Sequence, residues 1–225
     1  MVNTITFIQA NSQHSIAASG ILTRTVGVKG IDKALIQEPC YRDGCVGGLV
    51  IPGYTLHTLR GKDRPRACIV ARNMNIWELS GFSCRDLVAV LVQYDEDGAE
   101  RRLVVCSAYL PYDFEDPPPS WELEDLVRYC KNENIQLLVG CDSNAQHTAW
   151  GSTSCKGRGE GLIEFLNTSN LEIFNRGSEP TFCTSVRQEK IDITLGSHGL
   201  LDIITNCVPG WEFCGNSASS ARGTS

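Results

Sequence analysis

The sequence has no apolar run approaching the ~20 residues that cross a bilayer. Its opening, Met-Val-Asn-Thr-Ile-Thr-Phe-Ile, has neither a basic stretch nor a cleavage site. No membrane span and no secretory leader are therefore expected. Cys-x-x-Cys pairs are missing too, although there are 11 cysteines, at 40, 45, 68, 84, 106, 130, 141, 155, 183, 207 and 214. A zinc site wants closely spaced ligand pairs, and an odd number suits no complete disulfide framework. Cys106 in Leu-Val-Val-Cys and Cys141 in Leu-Leu-Val-Gly-Cys sit inside apolar runs. Buried, reduced thiols of a cytosolic or nuclear protein are the simpler reading. There is no repeat, low-complexity tract or linker, and with 21 Gly and 9 Pro neither collagen nor disorder is suggested. A basic surplus is also absent. The net charge is −6, which argues mildly against nucleic-acid binding, although carboxylates gathered around a cation would give the same excess.

What is present suffices for one core: 225 residues, 42% of them hydrophobic, read as a single domain over 1–225. Short apolar strands alternate with a few helices. Strands are expected at Thr4–Ala10, Ile31–Gln37, Gly44–Ile51 and Ala67–Arg72, the last two joined by a Gly/Arg-rich loop. Arg85–Tyr94 and Arg101–Tyr109 read as a hairpin turning at Asp95-Glu96-Asp97-Gly98. Ile135–Cys141 is apolar nearly throughout, as a strand covered on both faces would be, and Glu172–Phe174, Thr181–Thr184, Ile191–Leu195 and Leu201–Cys207 are shorter strands. Helices are expected over Gln13–Val28, over Trp121–Asn132 after the Pro117-Pro118-Pro119-Ser120 punctuation, and over Gly161–Thr168. The mixture suggests a two-sheet α/β sandwich.

Acidic and amide residues recur at the strand ends: Asn11, Glu38, Asp142 and Asn144, with Asp192 inside the apolar strand Ile191-Asp192-Ile193-Thr194. Any one Asp after a strand is usually a turn or a cap. A carboxylate within an apolar strand needs a dedicated partner. Hard cations such as Mg²⁺ take carboxylate oxygens plus retained waters, which such convergence could supply. Basic residues cluster at Arg60, Lys62, Arg64 and Arg66, at Arg101 and Arg102, and at Lys156 and Arg158.

Gln9-x-Asn11, Gln37-Glu38-Pro39, Tyr109-Leu110-Pro111, Gly140-x-Asp142-x-Asn144-Ala145 and Ile191-Asp192-x-Thr194 follow one another over nearly the whole chain. In that order they resemble the motifs of the exonuclease–endonuclease–phosphatase superfamily, whose apurinic/apyrimidinic-endonuclease-like branch includes the endonuclease domains of arthropod non-LTR retrotransposons. The run Asn144-Ala145-Gln146-His147-Thr148-Ala149-Trp150-Gly151-Ser152, Pro180-Thr181-Phe182 and the Gly159-x-Gly161-Leu162 helix start are similar to the retrotransposon version. The resemblance implies a four-layer α/β sandwich with two packed mixed β-sheets flanked by helices. It implies a DNA endonuclease that uses Mg²⁺, with Mn²⁺ able to substitute, and leaves a 3′-hydroxyl to prime reverse transcription. Glu38 would be the direct metal ligand, with Asn11 beside it. Tyr109 would contact the scissile phosphate, Asp142 orient or deprotonate the water, Asn144 steady both, and Asp192 hold a catalytic histidine. His147 and Trp150 would pack or anchor a loop. The partners implied are a double-stranded DNA target and a reverse transcriptase in the same polyprotein, in the nucleus after cytoplasmic synthesis. Arg60, Lys62, Arg64, Lys156 and Arg158 are the DNA-contact candidates, and the Asp95–Arg102 hairpin and Arg60–Arg66 loop the candidates for target reading.

The pattern breaks at its end. The family's last motif, Ser-Asp-His, is missing, and no histidine follows His198 in this sequence. Laid over the tail, the motif places Ser220 where Asp belongs and Ala221 where His belongs. Nicking is therefore expected to be greatly reduced. A non-catalytic DNA-binding module and a phosphoinositide-phosphatase-like relative are the competing readings.

Overall fold

The computed structural model describes residues 5–61, 63–73, 75–96, 98–114, 116–175, 181–183, 188–200 and 208–209. In chain order the elements are β1 (Phe7–Asn11), α1 (Ile16–Lys29), β2 (Lys33–Gln37), β3 (Tyr41–Arg42), β4 (Cys45–Val46), β5 (Tyr54–Thr58), β6 (Ala67–Arg72), β7 (Ile76–Glu78), β8 (Leu87–Glu96), β9 (Ala99–Tyr109), α2 (Trp121–Asn132), β10 (Gln136–Asp142), α3 (Gly157–Ser169), β11 (Leu171–Ile173), β12 (Phe182–Cys183), β13 (Gln188–Glu189), β14 (Asp192–Ser197) and β15 (Val208–Pro209). Two mixed sheets carry the fold, one ordered β15-β1-β2-β6-β5 and the other β11-β14-β10-β9-β8-β7.

The burial pattern explains the layering. β2 and β6 are buried along almost their whole length, so both faces of their sheet are covered. On the inner face Leu35, Ala67 and Ile69 pack against Val88, Val90, Val105 and Leu138 of the other sheet. On the outer face Ile8, Ala34, Ile36 and Cys68 meet Leu22 and Val26 of α1. The second sheet turns Val104, Cys106, Leu137 and Val139 toward Leu123, Leu126 and Leu162 of α2 and α3. The result is helix, sheet, sheet, helix: the expected four-layer sandwich. The Ser15 hydroxyl caps α1 by accepting from the Ala18 N–H, and Gly30 ends it at φ 64°. α2 has the expected bounds.

Other expectations are corrected. Gly44–Ile51 is not a strand: only Cys45–Val46 pairs, with Tyr41–Arg42, and Gly48 then turns the chain at φ 77°. Leu49 and Ile51 are nevertheless buried, against α1, so their hydrophobicity reports packing and not pairing. The strand lies later, at Tyr54–Thr58, inside what reads as a Gly/Arg-rich loop. α3 begins at Gly157, earlier than expected. Leu201–Cys207 lies outside the described residues. All eight cysteines described by side chain are free thiols, Cys40, Cys68, Cys106, Cys130 and Cys141 being buried.

The glycine pair at the start of α3 has a packing reason. A Cβ at Gly159 would lie 2.1 Å from the Gln146 carbonyl oxygen, and one at Gly161 2.8 Å from Pro117 Cβ. The helix is wedged between the loop after β10 and the proline stretch. Gly159→Ala should therefore cost about 1–3 kcal/mol, lowering Tm by about 2–4 °C for each kcal/mol. Gly157→Ala, where a Cβ would meet nothing, should leave the melting curve almost unmoved.

Candidate active site

The register of the second sheet builds the site. β10 ends at Asp142, which pairs with Tyr109 of β9 on one side and Asp192 of β14 on the other. β1 and β2 end together at Asn11 and Gln37, in register, with Glu38 next in the chain. The two sheets present these ends side by side. The Asn11 side-chain amide donates to Asp142 Oδ2 at 2.7 Å, directly across the gap. The carboxylate and amide candidates from distant stretches thus converge.

Two glutamines hold the ends together. The Gln37 amide donates to the Ser107 hydroxyl and to the Gly140 carbonyl, both at 2.9 Å, and Ser107 donates to the Ile36 carbonyl. Gln9 donates to the Cys141 carbonyl at 3.1 Å and accepts from the Thr194 hydroxyl at 2.8 Å. These buried bonds run from sheet to sheet just below the acidic residues. Gly140 permits the approach, since a Cβ there would lie 2.9 Å from Leu35.

Glu38 and Asn144 both adopt left-handed backbone, at φ 47° and 44°. Such conformations in non-glycine residues persist where surrounding bonds over-determine them. The Glu38 N–H donates to the Arg66 carbonyl and its own carbonyl accepts from the His14 N–H, each at 2.8 Å. Asn144 donates from its backbone to Asp142 Oδ1 at 3.1 Å and from its side chain to the Leu110 carbonyl at 3.2 Å. Arg158 Nε donates to the Asn144 carbonyl at 3.2 Å, so this arginine is turned inward as well as lining the cleft.

The electrostatics follow from burial. The Tyr109 hydroxyl is pushed up to about 12 by burial, then by Glu38 and Asp142, against Arg66 and a hydrogen bond with Asn144. It stays a phenol and a proton donor. Burial and then Asp192 push Asp142 well above the ordinary carboxylate range, against the amide donors of Asn144 and Asn11. Asp192 is pushed up to about 7, by burial first and Glu38 besides, with Thr181 opposing. Among the described residues, nothing forms a hydrogen bond with the buried Asp192 Oδ1. Three hard-oxygen acids repelling one another, one with an orphan oxygen, fit a divalent cation.

Raised carboxylate pKa values give a stability prediction with a definite sign. Between the ordinary 3.8 and about 7 the unfolded chain ionises Asp192 while the folded chain keeps it protonated. Stability from this group is complete below the lower value and lost as pH rises through the upper. In chelator, Tm should fall from pH 4.5 to pH 7.5, and Mn²⁺ should restore it at pH 7.5 but not at pH 4.5. A melting point rising across that window would contradict the assignment.

Of the DNA-contact candidates, Arg60 and Arg64 are exposed on the β5–β6 loop. That loop lies at the acidic end, because Thr58 pairs with Cys68 and Gln37 with Ala67. Lys62 lies outside the described residues. Lys156 and Arg158 line a cleft of about 370 Å³ with Tyr112, Asn144, Phe182 and Ile191. The Asp95–Arg102 turn is at the wrong end for target reading: Ala99 to Tyr109 is one continuous strand, roughly 33 Å long. A larger cleft of 420 Å³, lined by Lys131, Gln136 and His198, also lies at that far end. His198 there faces Glu172. His147 anchors its loop, Nδ1 accepting the Ala149 N–H at 3.0 Å, with its ring 5.3 Å from Trp150. His147, Cys155 and Glu160 bring possible ligand atoms within 4.8 Å, closer than sequence spacing suggests. Ser220 and Ala221 lie outside the described residues.

The sequence reading counted Arg66 only as one of a basic cluster and did not place it beside the phenol. Its guanidinium forms a two-pronged pair with Asp86 and lies 4.6 Å over the Tyr109 ring. It thereby joins the Glu38 backbone to the phenol.

A family model described as endonuclease-reverse transcriptase matches residues 103–214. Among solved structures, the fold matches the endonuclease domain of TRAS1, a telomere-specific non-LTR retrotransposon, with a TM-score of 0.68 at 25% identity over 87% of this chain and 86% of that one. An AP endonuclease from Archaeoglobus fulgidus matches at TM-score 0.56 and 14% identity, over 88% of each chain. The Xenopus laevis APE2 catalytic domain matches at 0.57 and 14%, over 87% of this chain and 83% of that one. A search of curated protein sequences found no match.

Proposed function

We propose, from the match of residues 103–214 to the endonuclease-reverse transcriptase family model and the likeness to the TRAS1 endonuclease domain, that this chain is the Mg²⁺-dependent DNA endonuclease domain of a non-LTR retrotransposon polyprotein. Its task is to nick target DNA and leave a 3′-hydroxyl from which a reverse transcriptase of the same polyprotein starts synthesis in the nucleus. The observation that carries this is the meeting of Asn11, Glu38, Tyr109, Asp142, Asn144 and Asp192 at one end of two sheets.

Each residue has a role its geometry permits. Glu38 would hold Mg²⁺ or Mn²⁺, with Asn11 beside it, and the ion when bound neutralises charge developing on the phosphate. Tyr109, kept protonated, donates to a phosphate oxygen. Asp142, fixed by Asn11 and the Asn144 N–H, orients the attacking water and takes its proton. Asn144 steadies the phosphate. Lys156, Arg158, Arg60, Lys62 and Arg64 would meet the DNA backbone. Asp192, whose Oδ1 has no partner among the described residues, is the carboxylate that would orient a histidine, and the alignment of the tail puts Ala221 where that histidine belongs. That favours a second reading for this copy: a domain that binds DNA and nicks it very slowly.

A panel of supercoiled plasmid and inositol phosphates with Mg²⁺ tests the proposal. Slow, chelator-sensitive conversion to open circles, or duplex binding without cutting, is expected. Hydrolysis of the inositol phosphates with no affinity for DNA would overturn it.

A further inference from the structure

The candidate metal site reads from sequence as a set of oxygen donors, yet a histidine stands in it. Segment 12–14 is laced to the end of β2: the Ser12 N–H donates to the Gln37 carbonyl and the His14 N–H to the Glu38 carbonyl, each at 2.8 Å. His14 is held in left-handed backbone at φ 57°. Its position is therefore fixed by main-chain bonds and not by its ring.

The ring is oriented at both nitrogens. Nδ1 faces the Pro39 carbonyl at 3.5 Å, and Nε2 lies 3.3 Å from Glu38 Oε1. A carbonyl only accepts, so Nδ1 carries the proton. In the neutral ring the Nε2 lone pair then points at a carboxylate oxygen, a pairing relieved either by a second ring proton or by a metal ion held by both. A ring whose far N–H is tied to a backbone carbonyl is also the usual setting of a metal-bound histidine.

We propose that His14 Nε2 is a ligand of the divalent ion held by Glu38, making this a mixed nitrogen–oxygen site. The inference rests on the divalent-ion reading given above. Imidazole binds first-row transition ions, Mn²⁺ the weakest of them, better than it binds Mg²⁺, which keeps to oxygen ligands and its own waters. The site should accordingly prefer Mn²⁺ to Mg²⁺, and lose that preference with the ring.

The test uses the 225-residue chain with Mn²⁺ alone. Pulsed electron paramagnetic resonance of bound Mn²⁺ should show a directly coordinated nitrogen. His14→Ala should abolish that coupling and weaken Mn²⁺ binding about tenfold or more, while Mg²⁺ affinity, read by competition, changes about twofold. Circular dichroism should be unchanged, since the main-chain bonds survive. Mn²⁺ bound without nitrogen coupling, equally by the parent and His14→Ala but not by Glu38→Gln, would overturn the proposal and leave the metal reading intact. Failure of the parent chain to bind Mn²⁺ at all would overturn both.

Discussion

Replacing Ser220 by Asp and Ala221 by His together should speed Mg²⁺-dependent nicking of supercoiled plasmid about 10²–10⁴-fold, the usual worth of a general acid or base. The reason lies in what the described residues hold ready. Asp192 sits in register beside Asp142 with a buried oxygen that has no partner among the described residues, which is the acceptor a histidine N–H would take. Each single replacement should recover far less than the pair, because residues that act as a unit lose most of their effect when either is missing. Asp192→Asn in the double variant should remove most of the gain. Equal nicking by parent and double variant, both fast, would show that the chain needs no histidine at this place.

Asp142→Asn should have the second-largest effect, and its two readouts should move in opposite directions. In the double variant, nicking should fall about 10²–10⁴-fold, since the group proposed to take the water proton is gone. Metal-free stability near pH 7.5 should rise. The amide keeps one of the two bonds, its single oxygen accepting from the Asn144 N–H while its NH2 group faces Asn11, and this loss is outweighed because a buried charge no longer stands beside Asp192 and Glu38. A Tm lower than the parent's would show that the Asp142 charge already has a compensating partner in the metal-free protein.

Much of this was readable in advance, for identifiable reasons. The hairpin β8–β9 and helix α2 announce themselves locally, by a Gly-containing turn and by a serine after three prolines. The acidic and amide residues at strand ends were found because a strand's end is a fixed place, and sheet register then aligns Tyr109, Asp142 and Asp192. What stayed hidden depends on contacts distant in sequence. β5 carries His57 and two threonines in a weak alternation, and only its pairing with β6 makes it a strand. Arg66 gains its place over Tyr109 through Asp86, twenty residues on, and His14 gains its place from Pro39 and Glu38. A loop-borne arginine or histidine carries no periodic signal. Gln9 and Gln37 stood inside recognisable motifs, but their sheet-to-sheet bonds could not be inferred from spacing.

Because Asn11 and Glu38 come from the end of one sheet and Asp142 and Asp192 from the other, the proposed site would be a property of the docked pair and of neither half alone. On that reading β14 must be made before the proposed site can assemble, so a nascent chain ending short of Asp192 would hold no complete set of these residues. The same arrangement would make any nicking by the repaired double variant a sensor of how well the two halves stay clasped. Substitutions deep between the layers, far from any substrate, should dim the nuclease before they unfold the protein.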